Sequence, residues 1–313
     1  VPVRPFQTIP LAENVLNFLV ATRFVPIFSF MFGMSMGFVI DSAIRRGAPA
    51  WKILLRRLAA LLVIGLLHSI LYPGEILSDY AVVGAILLPF VLKVPRSVRL
   101  VLGLLATVGA YAFTGGGALS LPGLFLLGSA AQAYGLPARL EHADRRIGAA
   151  TLVFAAASAA AIPWQAAEGG DPRFFTAGGV AGGLMACLYV CLLALLWRTP
   201  VRRALSAVFE PLGRMALTCY VTASFVMVPA GVLLDSRSTQ DVIPGLIVAA
   251  AVLPLQWVFC RLWLSRFAYG PLEWVWRCIT WWRWIPLQRP QSQQPDNQSG
   301  PYRYARLPTT GVM

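Results

Sequence analysis

Apolar residues occur along this chain in long runs, and short polar or basic segments separate one run from the next. Most of these runs approach the roughly 20 residues that an α-helix needs to cross the hydrocarbon core of a bilayer. The pattern therefore predicts an all-α, polytopic membrane protein. Its nine predicted spans are 24–40, a run that follows Arg57 and ends at residue 72, 76–92, 100–113, 119–136, 147–164, 174–197, 211–234 and 242–263.

Segments at both ends differ from these spans. Residues 1–23 form a mixed lead-in with an amphipathic turn or two, and residues 270–285 form a Trp-rich amphipathic segment typical of a helix in the membrane interface. The tail, 286–313, is rich in Pro, Gln and Ser, which predicts disorder in the cytoplasm. We therefore expect one helical membrane domain over 1–285, followed by that tail.

The first span carries Gly33, Ser35 and Gly37 at positions where a second helix can approach closely. Small residues of this kind favour tight helix packing in lipid, where no hydrophobic force drives helices together and close van der Waals contact does so instead. We interpret them as a packing surface.

Composition narrows the class further. Hydrophobic residues make up 58% of the chain and charged residues 12%, and the mean hydropathy is +0.67, which excludes an ordinary soluble domain. The formal charge of +13 comes from short basic clusters between apolar runs, so it indicates topology in a lipid bilayer rather than a nucleic-acid partner. The five cysteines have no metal-ligand spacing and no histidine partners, so we expect neither a bound metal nor a disulfide.

Basic residues cluster in alternate loops. Loops after the odd-numbered spans, with their flanks, hold sixteen Lys or Arg, whereas loops after the even-numbered spans hold two. Because positive residues stay in the cytoplasm, this asymmetry predicts a bacterial inner-membrane protein with a cytoplasmic C-terminus. Residues 1–23 then lie outside, and we expect a further transmembrane helix before Val1. The alternative is a chain that inserts with its N-terminus outside and has no signal.

One stretch concentrates polar chemistry in a chain otherwise poor in it. It runs from His68 to Tyr80, at the outer end of the second and third spans, and contains Glu75 and Asp79. An imidazole oriented by a carboxylate is the usual base for a hydroxyl group near neutral pH, so we predict catalysis by His68 with Glu75 or Asp79 and substrate contact by Tyr80. The structural alternative is that His68 hydrogen-bonds a helix neighbour while the acids are solvated.

Four further charged residues are candidate binding groups. Arg214 either pairs with Glu210 one turn earlier or, with Arg277, binds a phosphate-bearing donor, since guanidinium groups suit phosphates. Glu273 belongs to the interfacial segment and is a candidate partner of Arg214. Arg23, at the outer end of the first span, either faces the His68 region or extends to lipid headgroups.

Several motifs resemble the YeiB-like family of bacterial membrane proteins, a domain family of unknown function, over roughly residues 24–284. They are Phe28-Ser-Phe-Met-Phe-Gly33, Gly65-Leu-Leu-His68, Pro73-Gly-Glu-Ile-Leu77, Tyr80-Ala-Val-Val-Gly84, Gly213-Arg-Met-Ala-Leu-Thr218 with Tyr220, and Gly270-Pro-Leu-Glu-Trp-Val-Trp-Arg277. The chain departs from the family where Glu75 replaces a more frequent Asp and Cys219 a frequent Asn. The family's opening helix with Asp-x-x-Arg-Gly is not found in the sequence from Val1 onward, which agrees with the further helix expected before Val1.

The resemblance has a functional implication, because the family is distantly similar to transmembrane acyltransferases. In those enzymes a cytoplasmic donor, commonly acyl-CoA, acylates a glycan or lipid on the far side of the membrane. The resemblance thus implies acyl transfer, but at the level of the fold. Two other classes stay open from the sequence: a small-molecule transporter or channel, against which no clear inverted repeat is visible, and a non-catalytic membrane partner protein.

Overall fold

The structure is a computed structural model and describes residues 11–142, 145–234 and 242–288. Within these residues it is helical without a strand, and only an isolated bridge pairs Phe267 with Gln288. The helices are α1 (Leu11–Leu19), α2 (Phe24–Arg45), α3 (Ala50–Ser69), α4 (Leu77–Lys93), α5 (Arg96–Thr114), a 3-10 turn (Gly117–Ser120), α6 (Leu121–Ala133), α7 (Leu136–His142), α8 (Arg145–Glu168), α9 (Thr176–Leu196), α10 (Arg202–Arg214), α11 (Ala216–Leu233), α12 (Ile243–Arg266) and α13 (Pro271–Trp281).

The predicted all-α membrane architecture is confirmed, but the count of nine spans is not. Six segments of the described chain are long and apolar enough to cross a bilayer: α1 with α2 (11–45), α5, α8, α9, α11 and α12. The remaining three predicted spans correspond to α3, α4 and α6. Helix α3 carries Lys52, Arg56 and Arg57 in its first half, α4 has 17 residues, and α6 has 13.

Two predicted boundaries are wrong for a local reason. The eighth span was expected over 211–234, but the chain breaks at Met215, so that Arg214 ends the amphipathic α10 and α11 begins at Ala216. The fifth span was expected over 119–136, but it opens with a 3-10 turn and ends at Ala133. Gly135 then takes a left-handed conformation with φ 72° before α7 begins.

The core lies around α6, which is enclosed by α2 and α5. A Cβ at Gly33 of α2 would lie 2.2 Å from the Phe125 carbonyl oxygen, and one at Gly128 would lie 2.0 Å from the Phe30 carbonyl oxygen. The helix backbones are therefore in direct contact at both points, as small residues permit. This confirms the predicted packing surface at Gly33, and Phe125 is fully buried beside it.

The Trp-rich helix α13 forms, as predicted, within residues 270–285, and it docks along α3. Trp276 donates its indole N–H to the Arg57 carbonyl oxygen at 2.8 Å, and the Arg57 guanidinium lies 3.7 Å from the centroid of the same indole. Arg46 stacks in the same way on Trp281, at 4.1 Å. Cation–π contacts with arginine thus hold this helix against the bundle.

Some segments for which the sequence makes predictions lie outside the described residues. These are the first ten residues of the lead-in, residues 235–241 between α11 and α12, and residues 289–313 of the tail for which disorder was predicted.

The packing of α11 against α12 can be tested through two cysteines. The sulfur atoms of Cys219 and Cys260 lie 3.3 Å apart. Iodine, an apolar oxidant, is expected to accept two electrons from the two thiols and join them as a disulfide, because little movement is needed. Peptide mass spectrometry should find the 219–260 cross-link in the wild-type protein and lose it in Cys219→Ser. Alkylation of both thiols without any cross-link would contradict this packing.

Candidate functional site

His68 occupies an enclosed position at the end of α3. Only 4% of its surface is exposed, and neither ring nitrogen has a hydrogen-bond partner among the described residues. Its ring lies 5.1 Å from that of Tyr220 in a T-shaped arrangement and 6.1 Å from that of Tyr72. The imidazole therefore keeps both its donor and its acceptor position for another group. The alternative in which His68 hydrogen-bonds a helix neighbour is not what the structure contains.

Glu75 lies at the start of α4 and is 8% exposed. Its carboxylate accepts the backbone N–H groups of Leu77 at 2.7 Å and Ser78 at 3.0 Å, together with the Ser78 hydroxyl. These are N–H groups that have no partner inside the helix, so Glu75 stabilises the helix start. A Cβ at Gly65 would lie 3.1 Å from this carboxylate, which places Glu75 about one turn of α3 away from His68.

No hydrogen bond joins His68 to either predicted carboxylate among the described residues. Glu75 is committed to α4, and Asp79 is exposed. The structure brings His68 and Glu75 into one region without pairing them. Their predicted catalytic roles therefore stay predictions, in which a bound substrate, and not the resting protein, supplies the partner of the imidazole.

Tyr80 connects this region to the core of the bundle. Its side chain is 6% exposed, and its hydroxyl lies 2.9 Å from the Ser29 hydroxyl of α2. The ring packs edge-on against Phe125 at 5.4 Å and against Phe32 at 5.5 Å. Tyr80 is thus held rigidly by α2 and α6, and its role in substrate contact stays a prediction.

Tyr220 is the main site residue that sequence reasoning missed. It is the fifth residue of α11, and its hydroxyl group is close enough to Glu75, Tyr72 and Tyr80 to interact with all three electrostatically. The sequence gives no indication that a tyrosine in an apolar run contacts a histidine 152 positions away. The only available signal was its place in the family-like motif that begins at Gly213.

The loop between α8 and α9 approaches the same region near Tyr72. Its ring is 41% exposed and lies in the electrostatic field of Arg173, in the loop between α8 and α9. A hydrogen bond from Arg173 to Asp171, 2.5 Å long, raises the pKa of the Arg173 guanidinium, against an opposing effect of desolvation, and Tyr72 raises it further. The ion pair of Arg173 with Asp171 therefore lies near the exposed edge of the site.

The start of α11 joins this region to Arg214. Glu273 of α13 accepts the Thr218 backbone N–H at 2.9 Å and the Thr218 hydroxyl at 2.5 Å. Arg214 donates instead to the Ala268 carbonyl oxygen at 3.2 Å. The predicted pairing of Glu273 with Arg214 is therefore wrong: the helix start, with its free N–H groups, binds this carboxylate.

The structure also bears on the predictions for Arg277 and Arg23. Arg277 lies 4.5 Å from the Tyr269 ring centroid, and it does not line the groove between α10 and α12 that contains Arg214 and Arg261. Arg23 is fully buried and donates to the Gln165 side chain at 2.7 Å, the Ala21 carbonyl at 2.5 Å and the Thr22 hydroxyl at 3.0 Å. The extension of Arg23 to lipid headgroups is therefore wrong.

Replacing Glu75 by alanine is expected to lower the thermal stability of the protein in detergent. Two partly buried N–H groups at the start of α4 would lose their acceptor, at a cost of about 0.5–2 kcal/mol. Asp79→Ala is the matched control, since Asp79 is exposed four residues away. Fluorescence-detected size-exclusion chromatography after heating measures the difference. Equal stabilities of the two variants would contradict the role given to Glu75.

Comparison with known proteins gives the chain a family context. The model of the family described as a protein of unknown function (DUF418) matches residues 133–283. An uncharacterized 39.9 kDa protein in the amylase 3' region of Bacillus acidopullulyticus is 30% identical over 294 residues, covering 88% of this chain and 84% of that protein. The uncharacterized protein YxaH of Bacillus subtilis is 28% identical over 351 residues, with coverage of 89% and 84%. No solved structure matches.

Proposed function

The chain belongs to the DUF418 family, and we propose that it transfers an acyl group from a cytoplasmic donor to an extracytoplasmic glycan or lipid acceptor. The donor class is a thioester such as acyl-CoA. In this proposal the region around His68 binds the acceptor, and the groove between α10 and α12 that contains Arg214 binds the donor.

The short separation between these two regions carries the proposal. Arg214 and Tyr220 are six residues apart, and Tyr220 touches the His68 ring. Six residues rise about 9 Å as a helix and at most about 21 Å fully extended, whereas the hydrocarbon core is about 30 Å thick. A reaction between molecules on opposite sides of a membrane needs such a short path, while a purely structural protein does not.

In the proposed reaction His68 takes the proton of the hydroxyl group that is acylated. As the acceptor oxygen attacks the carbonyl carbon of the thioester, its O–H proton passes to an imidazole nitrogen, and the carbon–oxygen bond forms. The carbon–sulfur bond then breaks, and the departing thiolate takes the proton from the imidazole. Both ring nitrogens are without a partner among the described residues, so the exchange disrupts no existing hydrogen bond.

Mass spectrometry of surface glycans and lipids tests the function. Extracts are compared from wild-type cells, a deletion strain and a deletion strain that carries the wild-type gene on a plasmid. We expect an acyl mass to disappear in the deletion strain and to return on complementation. Unchanged acylation in all three strains would contradict acyl transfer and favour transport, for which uptake assays on the same strains are the measurement.

A further inference from the structure

A groove lies between α10 and α12, beside the break that precedes α11. Its volume is about 290 Å³, and it is lined by Ser206, Ala207, Glu210, Pro211, Arg214, Arg261, Leu264 and Ser265. Ligand pockets usually measure about 300–1,000 Å³, so this groove suits a headgroup-sized part of a ligand and not a whole nucleotide. Its position is the end of the bundle that the charge pattern assigns to the cytoplasm.

The lining combines two guanidinium groups with two hydroxyl groups. Among the described residues neither Arg214 nor Arg261 forms an ion pair with a carboxylate. Arg214 donates to the Ala268 carbonyl oxygen, which uses part of its donor set. Arg261 stacks 5.0 Å from the Trp257 ring centroid, a contact that orients its guanidinium plane. Most of the N–H donors of the two side chains thus stay free for a ligand.

We infer that this groove binds a phosphate group, with Arg214 and Arg261 as its two guanidinium donors. Guanidinium forks match the geometry of phosphate oxygens, and charge-assisted hydrogen bonds of this kind are roughly twice as strong as neutral ones. The inference rests on the proposed function for the identity of the ligand, which is the phosphate part of the acyl donor. Arg261 was not among the residues that the sequence singled out.

Glu210 opposes such a ligand and gives the inference a directional test. Its carboxylate lines the groove and accepts the Ser206 hydroxyl at 2.9 Å, which leaves one net positive charge on the lining. Removing this negative charge should strengthen phosphate binding, whereas removing either arginine should weaken it. A surface that attracts anions through general basicity would respond equally to the loss of an arginine outside the groove.

The experiment uses the purified full chain and titrates inorganic pyrophosphate and coenzyme A by calorimetry. Arg214→Gln and Arg261→Gln are each expected to weaken binding at least tenfold, and Glu210→Gln to strengthen it. Arg266→Gln is the matched control, because this arginine is exposed on the same helix and lies outside the groove. Its binding should equal that of the wild-type protein.

A second arm separates the two sources of phosphate chemistry. Native mass spectrometry measures retention of phosphatidylglycerol relative to phosphatidylcholine in the same four variants. Loss of pyrophosphate and coenzyme A binding in Arg214→Gln and Arg261→Gln supports the donor assignment. Loss of phosphatidylglycerol alone would overturn the donor and assign the groove to a lipid headgroup. Unchanged binding of every probe would overturn the inference, while acyl masses lost in the deletion strain would still support the proposed function.

Discussion

His68→Ala is expected to abolish the acyl modification that the wild-type gene restores to the deletion strain. The variant should reach the membrane at wild-type level, because the His68 ring nitrogens make no hydrogen bond among the described residues and only ring contacts are lost. Loss of a positioned general base typically costs about 10²–10⁴-fold in rate, enough to bring the product below detection in cells. The measurement is the mass spectrum of extracted surface glycans and lipids.

The matched control is Leu67→Ala, one position earlier in α3, where the side chain is 64% exposed. It removes a similar volume from the same helix end and should leave acylation unchanged. Normal acylation by His68→Ala, with both variants equally abundant, would contradict the role of the imidazole. Equal loss in both variants would show that the end of α3 is needed only for structure.

Gly33→Val is expected to prevent accumulation of folded protein. The first atom of any side chain at this position would lie 2.2 Å from the Phe125 carbonyl oxygen and 2.7 Å from its Cα, so α2 and α6 would have to separate. Adding atoms to a packed core costs about 1–3 kcal/mol where side chains can move. Here the added atoms would meet backbone atoms, so we expect a larger cost. Size-exclusion chromatography of the detergent-solubilised protein should show loss of the monodisperse peak.

Gly109→Val provides the control for this substitution. Gly109 lies within α5, and nothing would meet an added Cβ there within 4 Å. Its replacement should leave the elution profile unchanged. A normal profile for Gly33→Val would contradict the contact between α2 and α6, on which the position of Tyr80 beside Ser29 and Phe125 depends.

The sequence predicted what local pattern and short separation determine. Apolar runs predicted helices, and the short stretch from His68 to Tyr80 between two of them predicted that the end of α3 and the start of α4 lie together. The same pattern misplaced the start of α11, because an amphipathic helix that ends at Arg214 and an apolar helix that follows without a linker are continuous in sequence. Only the backbone conformation of Met215 separates them.

Contacts between residues far apart in the chain could not be predicted from the sequence, for a different reason. The Glu273 carboxylate binds the start of α11 and not the guanidinium of Arg214, because Thr218 donates two hydrogen bonds to it, from its backbone N–H and its hydroxyl group. Arg23 is enclosed because the chain turns at Thr22, with φ 66°, and brings α1 and α8 over it. These contacts depend on which helices pack against each other. Apolar runs of similar composition do not indicate which helices become neighbours.

Transfer of label across a sealed membrane is the sharpest test of the proposal that the groove at Arg214 and the region around His68 serve one reaction from opposite sides. Labelled acyl-CoA is added to inverted and to right-side-out membrane vesicles from cells that express wild-type protein or His68→Ala. We expect labelled glycan or lipid in inverted vesicles with wild-type protein. Right-side-out vesicles and both His68→Ala samples should show background levels. Equal labelling in both orientations, or in vesicles with His68→Ala, would contradict it.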